Sequence, residues 1–138
     1  MFTDEHVGVA NAWRKGTLAA ALGMEFSLGP GDGLVVTMPV DERTFQPMRQ
    51  LHGGATAALA ETLGSVSSAL LVDRDREAVV GLELNINHLR AVRSGRVTAT
   101  GTLLHRGRRT HVWDIRVVDD GGEPVAASRI TILILQHA

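Results

Sequence analysis

The apolar residues near the middle of the chain predict one long helix, from residue 53 to about residue 71. They recur at spacings of four, four, three and four, which places them on one helical face: Ala55, Leu59, Leu63, Val66 and Leu70. The opposite face carries small residues instead of charged ones: Ala57, Ala60, Gly64 and Ser68. Because a surface helix normally has a charged face, we expect other elements to surround this one.

Four strand-like segments follow the helix: residues 78–90, 95–106, 109–119 and 123–136. Apolar and polar residues alternate clearly at 96–100 and 112–117, which is typical of strands with one buried face. Before the helix, two further strand-like segments, 24–28 and 34–39, flank the Gly/Pro-rich turn 29–33.

The N-terminal part of the chain favours short helices. Thr3 can cap a first one, and Thr17 can cap a second over residues 18–22. The predicted order is therefore two short helices, two strands, one long helix and four strands. A single sheet curled around the long helix satisfies that order, so we expect an α+β fold. We divide the chain into an N-terminal helical segment, 1–16, and a single domain, 17–138.

Composition narrows the range of functions. The chain has 138 residues, a formal net charge of −1 and no cysteine, so disulfides, thiol catalysis and cysteine-ligated metals are excluded. The near-zero charge, with three Phe, two Trp and no Tyr, argues against nucleic-acid binding. No two histidines have the spacing of a helical metal motif, so we expect no metal. With no signal peptide and a long helix too polar to span a membrane, we expect a cytoplasmic protein.

His52, Gly53 and Gly54 stand where a loop enters the long helix. Glycine at such a position lets a ligand or another backbone approach closely. The free N–H groups of the first helical turn and the helix dipole together favour an incoming oxyanion. This arrangement suits a polarised carbonyl oxygen. Most His-Gly-Gly triplets are simply turns, and at this point that alternative stays open.

Glu61 places a carboxylate inside the long helix, next to Ala60 and close to Leu63. Either it reaches solvent at an edge or pairs with an arginine, or it is buried and serves as a base or nucleophile. Glu61 and Gly53 are eight residues apart, which is roughly 12 Å along the helix axis. If both act on one substrate, they must come from different chains, so the sequence predicts an active site at a dimer interface.

Several segments resemble the hotdog-fold acyl-CoA thioesterases over about residues 17–136. The matching segments are Gln46-Pro47, Leu51-His52-Gly53-Gly54-Ala55, and residues 59–65, 80–90 and 104–108. The chain is most similar to the branch of 1,4-dihydroxy-2-naphthoyl-CoA, enterobactin proofreading and Arthrobacter-type 4-hydroxybenzoyl-CoA thioesterases. The resemblance implies a hotdog fold, in which an antiparallel sheet wraps around one long central helix.

The resemblance also implies a role for each site residue. Glu61 would be the catalytic carboxylate, attacking the thioester carbon directly or activating a water, and Gly53 would polarise the carbonyl through its N–H. His52 and Gln46 would line the reacting centre. Ser65, one turn beyond Glu61, would orient the carboxylate or the water. The family forms dimers, often paired into tetramers, and needs no cofactor because CoA is part of the substrate.

Four arginines are candidates for CoA binding, since guanidinium groups suit phosphate oxygens. Arg106, Arg108 and Arg109 cluster at one turn, and Arg90 ends a predicted strand. The alternative for the cluster is a solvated hairpin tip, and the two interpretations have equal weight. His88 is predicted to be a structural histidine.

We therefore expect an enzyme that hydrolyses an acyl-CoA thioester, with an aromatic or medium-sized acyl group, to the free acid and CoA. Two alternatives stay open. One is a thioesterase that acts on acyl groups attached to a carrier protein, as in siderophore proofreading. The other is a non-catalytic protein of the same fold that binds acyl-CoA.

Overall fold

The computed structural model describes residues 1–137, and Ala138, the last residue of the predicted domain, lies outside the described residues. The helices are α1, Asp4–Ala12; α2, Leu18–Ala21; and α3, Gly53–Leu71. The strands are β1, Glu25–Leu28; β2, Leu34–Pro39; β3, Glu77–His88; β4, Arg96–Arg106; β5, Thr110–Asp119; and β6, Pro124–Gln136. Each of these elements was predicted, with ends within two residues of those observed.

The six strands form one antiparallel sheet in the order β1-β2-β4-β5-β6-β3. One face of this sheet packs around α3, which contacts every strand from β2 to β6. The arrangement confirms the expected α+β hotdog fold, with an antiparallel sheet around one long central helix.

The core lies between α3 and the facing side of the sheet. Leu59 and Leu63 of α3 are fully buried and belong to one cluster with buried side chains of β5 and β6, among them Ile130. Gly64 allows the two layers to approach closely, because a Cβ at this position would lie 2.6 Å from Ile130 Cγ2. Ala60 and Ser68 are buried as well, so the small residues give α3 a second packing face, as expected for a helix that the sheet wraps.

Helix α1 is tied to the first strand. The predicted Thr3 cap is confirmed, since its hydroxyl accepts a hydrogen bond from the His6 N–H. Thr17 precedes α2 as predicted but makes no side-chain hydrogen bond to it. Asn11 Oδ1 accepts from the Phe26 N–H at 2.9 Å, and Asn11 Nδ2 donates to the Phe26 carbonyl at 3.0 Å. The Asn11 side chain thereby hydrogen-bonds backbone groups on the outer edge of β1 that could otherwise pair with another strand.

Strand β3 is the other edge of the sheet. It is 12 residues long, and its outer edge has no neighbouring strand in the described chain. Val80 and Leu82 are 44% and 59% exposed there. A long edge strand with exposed apolar side chains is a surface prone to pair with another strand.

A buried polar cluster joins the C-terminal half of α3 to β5. Trp113 Nε1 donates to Ser68 Oγ at 2.9 Å, and the same oxygen lies 2.9 Å from His111 Nδ1. All three side chains are buried. Burial lowers the pKa of His111 below its ordinary value of 6.5, and nearby Arg106 adds to the effect. The cluster therefore favours a neutral imidazole.

We expect acid to destabilise the fold through His111. In the unfolded chain this imidazole takes up a proton near its ordinary pKa of 6.5, whereas the folded chain resists protonation until lower pH. The contribution of His111 to the free energy of unfolding should therefore stay constant above about pH 7 and decrease as the pH falls below about 6.5. Urea unfolding of wild type and His111→Gln across this range measures the effect. An equally steep fall in the variant would contradict it.

Candidate active site

Hydrogen bonds in the loop before α3 fix where the helix begins. The Leu51 N–H donates to the Val92 carbonyl, and the His52 N–H donates to the Thr44 carbonyl, both at 2.8 Å. Thr44 is itself buried, and its hydroxyl donates to the Pro39 carbonyl at 2.7 Å. The loop is thus attached to the end of β2 and to the segment before β4, so the first residues of α3 are held in place.

His52 caps α3 with its own ring. Its Nδ1 accepts a hydrogen bond from the Gly54 N–H at 2.7 Å. Because Nδ1 accepts, the proton of the neutral ring is on Nε2, which remains available as a donor. The Gly53 N–H has no acceptor within residues 1–137 and stands at the positive end of a 19-residue helix. The start of α3 therefore presents a free donor suited to an oxyanion.

Two further polar side chains surround this N–H. A Cβ added at Gly53 would lie 2.9 Å from His88 Nε2, so the imidazole is in contact with the glycine. Gln46 lines the same pocket, which has a volume of about 420 Å³ and extends to Arg90. We call Gln46, His52, Gly53 and His88 the amide half-site.

His88 does not have the hydrogen-bonded, structural setting predicted from the sequence. It is exposed, and no hydrogen bond occupies its ring in the part of the chain that the structure describes. One signal was available, because polar residues are concentrated at the end of this strand, at Asn85, Asn87 and His88. That pattern indicates where the strand ends, but it does not predict that His88 contacts the start of α3.

Glu61 is exposed in the single chain, so of the alternatives left open the buried carboxylate is wrong for one chain. It makes no ion pair with any residue between 1 and 137. Its carboxylate lies against Gly81 of β3, since a Cβ at Gly81 would be 2.5 Å from Glu61 Oε1. The alternative of a glutamate that reaches solvent at an edge therefore describes its position in one chain.

Glu61 and Ser65 lie on the wall of a pocket of about 520 Å³. Ser65 stands one turn after Glu61, as predicted. The apolar part of the wall comes from α1, α2, β1 and α3: Ala10, Trp13, Leu18, Ala19, Phe26, Ala58 and Val66. We call Glu61, Ser65 and this pocket the carboxylate half-site.

The two half-sites are separate within one chain. Their pockets share no lining residue. Gly53 and Glu61 belong to one continuous helix, so roughly 12 Å separates them along its axis. Reacting atoms must approach to about 3 Å, so a carbonyl bound at the Gly53 N–H is out of reach of Glu61 in the same chain.

The four arginines predicted to bind CoA lie at three places. Arg90 borders the amide half-site and pairs with Asp119. Arg106 Nη2 donates to the last backbone carbonyl of α3 at 3.0 Å. Arg108 and Arg109 line a different pocket, of about 630 Å³, beside β6. The chain does not gather the four into one phosphate clamp, and CoA binding by each of them stays a prediction.

Two other kinds of feature, a metal-binding cluster and a membrane-spanning helix, are absent from residues 1–137. Between residues 1 and 137, no three His, Asp or Glu side chains are grouped so that they could hold a metal ion. In the same range, no helix has the length and apolar character needed to cross a bilayer.

Known proteins resemble this chain over most of its length. Residues 49–126 match the family described as the thioesterase superfamily. The esterase PA1618 of Pseudomonas aeruginosa is 49% identical, over 93% of this chain and 88% of its own. The proofreading thioesterase EntH of Cronobacter turicensis is 45% identical, over 91% and 90%. The 1,4-dihydroxy-2-naphthoyl-CoA hydrolase of Escherichia coli is 44% identical, over 91% of both chains.

The fold agrees with these sequence matches. The crystal structure of a mutant of thioesterase PA1618 superposes on this chain with a TM-score of 0.92 and 46% identity. The superposition covers 95% of this chain and 94% of that one.

We expect the His52 cap to contribute to stability. His52→Ala removes the acceptor of the Gly54 N–H and should lower the free energy of unfolding by about 1 kcal/mol. His52→Asn should recover most of this loss, because the asparagine oxygen is among the best N-cap acceptors. Urea denaturation of the three proteins measures both effects. Equal stability of His52→Ala and wild type would show that the cap contributes nothing.

Proposed function

The chain belongs to the thioesterase superfamily, and from that membership we propose that it hydrolyses aromatic acyl-CoA thioesters to the free acid and CoA at a site shared by two copies of the chain. That it is a thioester hydrolase follows from the family and its named relatives. One observation carries the rest of the proposal. A single helix holds a free N–H donor and a free carboxylate, too far apart to act together within one chain.

A second copy would complete the site. Strand β3 is a free edge, Gly81 near its centre contacts the Glu61 carboxylate, and its last residue, His88, contacts Gly53. Antiparallel pairing of β3 with the β3 of another copy is self-complementary. It would carry Glu61 of each copy toward the amide half-site of the other. Two equivalent sites follow from the two-fold symmetry, and two such dimers would form the tetramer expected for the family.

In this mechanism the thioester carbonyl oxygen accepts a hydrogen bond from the Gly53 N–H. Negative charge grows on that oxygen as a nucleophile adds, so a fixed donor stabilises the transition state more than the ground state. Glu61 of the second copy either attacks the carbonyl carbon, giving an anhydride that water then hydrolyses, or removes a proton from the attacking water. The C–S bond breaks as the tetrahedral intermediate collapses, and the CoA thiolate takes up a proton.

The remaining site residues assist these steps. Gln46 and His88 line the pocket beside the Gly53 N–H, where their N–H groups would orient the thioester or stabilise the departing sulfur. The free Nε2–H of His52, the cap of the same helix, would assist them. Ser65 lies beside Glu61 on α3 and would orient the carboxylate or the water. No cofactor is required, because CoA enters as part of the substrate.

The pocket of the carboxylate half-site would receive the acyl group. Its volume of about 520 Å³ is within the usual range for small-molecule sites. Trp13 and Phe26 provide aromatic walls, and Leu18 and Val66 provide apolar ones. These aromatic and apolar parts of the wall favour a flat, apolar acyl group.

Whether the acyl group arrives on CoA or on a carrier protein is tested by comparing the two as substrates. The proofreading thioesterase EntH and the 1,4-dihydroxy-2-naphthoyl-CoA hydrolase are 45% and 44% identical to this chain, so sequence identity favours neither relative as a guide to the substrate. We expect kcat/KM for one aryl group to be higher on CoA than on an aryl carrier protein. The reverse order would replace CoA with the carrier protein as substrate. Binding without turnover of either would show that the aryl group is not a substrate and would overturn the proposed acyl specificity.

We expect Glu61→Gln to abolish most activity. The substitution keeps the size of the side chain but removes its charge, so kcat should fall by about 10² to 10⁴-fold. Folding should be unaffected because Glu61 is exposed in one chain. Release of CoA from benzoyl-, hydroxybenzoyl- and naphthoyl-CoA measures kcat, and Glu123→Gln, at the turn between β5 and β6, is the matched control. Wild-type turnover by Glu61→Gln would overturn the mechanism.

We expect the Gly53 N–H itself to be required. Gly53→Pro deletes this N–H at the first helical position, where proline is well tolerated. Gly53→Ala is the matched control, since it also adds a Cβ beside His88 but keeps the N–H. The kcat of Gly53→Pro should be about 10² to 10³-fold below that of Gly53→Ala. Equal kcat values would remove Gly53 from the mechanism.

The Glu61→Gln and Gly53→Pro variants together test whether each active site is shared by two chains. Glu61→Gln and Gly53→Pro chains, unfolded together and refolded in equal amounts, should recover about a quarter of wild-type activity. Half of the random dimers are mixed, and each mixed dimer has one intact site. If both residues acted within one chain, mixed dimers would form without recovering any activity.

A further inference from the structure

Gly81 of β3 lies directly against the carboxylate of Glu61. Its neighbour across the ladder is Ile132 of β6, which is fully buried, so this position of β3 faces α3. A Cβ built on Gly81 would lie 2.5 Å from Glu61 Oε1, 3.3 Å from Cδ and 3.8 Å from Cγ. All three of its nearest neighbours would therefore be atoms of one side chain.

Backbone conformation does not account for glycine at this position. Gly81 is not among the residues with positive φ, so its backbone is open to other amino acids. Glycine inside a strand also weakens the strand, because it adds conformational freedom to the unfolded chain. The space that the Glu61 carboxylate occupies does give a reason, because a Cβ would enter it.

The strand also changes course at this point. The pairing of β3 with β6 shifts between Gly81 and Glu83, so Leu82 is an extra residue that forms a bulge. Bulges bend a strand locally and are frequent next to active sites. The bulge and the missing side chain together shape the surface on which the carboxylate lies.

We propose that Gly81 is a positioning residue for the reaction: by lacking a side chain, it lets the Glu61 carboxylate lie against the β3 backbone and so sets where that carboxylate is presented to the substrate. This inference rests on the proposed function, in which Glu61 is the reacting carboxylate. In this role Gly81 acts through Glu61 and not on the substrate.

The contact predicts a variant that folds but reacts slowly. Alanine at position 81 would displace only the end of a flexible side chain, so the fold should tolerate Gly81→Ala. The carboxylate, however, would move by about 1 Å, and a shift of that size is enough to slow a reaction by about 10²-fold. We expect a fall in kcat of at least about tenfold with little change in KM.

The decisive experiment combines Gly81→Ala with Glu61→Asp. Aspartate is one methylene shorter, which withdraws the carboxylate from β3 and leaves room for the new Cβ. We expect Gly81→Ala to lower kcat at least tenfold in the wild-type background but less than about twofold in the Glu61→Asp background, a clear departure from additivity. Equal fold-losses in the two backgrounds, or wild-type kcat in Gly81→Ala, would overturn the proposal.

Controls separate positioning from folding and from the proposed function. Gly121→Ala, where a new Cβ meets its nearest atom at an ordinary 3.4 Å, should leave kcat unchanged. Thermal unfolding and light scattering should show that Gly81→Ala keeps the stability and oligomeric state of the wild type. Full turnover by Glu61→Gln would overturn the proposed mechanism, in which Glu61 is the reacting carboxylate. An inactive Glu61→Gln beside a fully active Gly81→Ala would overturn only the role of Gly81.

Discussion

The close packing of α3 against the sheet is the constraint on which the rest of the structure depends. Gly64 lets the helix approach Ile130 to a distance that a Cβ would forbid, and Leu59 and Leu63 fill the remaining space. A helix buried on two faces has little freedom to slide or rotate. The groups at its start and along its open side therefore occupy fixed positions, as a catalytic site requires.

The same rigidity separates the two reactive groups. Gly53 and Glu61 are parts of one straight element, so no loop movement brings them together, and roughly 12 Å remains between them. In the proposed mechanism a second copy resolves this separation. Such a copy would attach at the open edge of β3. The opposite edge of the sheet, at β1, is less available because Asn11 of α1 already hydrogen-bonds its backbone at Phe26.

Polar groups in this chain fall into two sets with different surroundings. Ser68, His111 and Trp113 are buried and hydrogen-bonded to one another, as buried polar groups normally are. The Gly53 N–H and the Glu61 carboxylate have no such partners within residues 1–137. Unsatisfied groups held on a rigid helix are available to a substrate, whereas the satisfied cluster serves only to join helix and sheet.

The sequence by itself determined the elements of this protein, because apolar spacing and turn residues are local properties of the chain. It therefore predicted α3, the six strands, the Thr3 cap and the glycine-rich helix start. Only the tertiary structure decided that His88 contacts Gly53, that Glu61 is exposed beside Gly81, and that Arg106 ends up at the C-terminus of α3. Each of these contacts joins distant segments, and their meeting depends on strand order and register, which a local pattern does not specify.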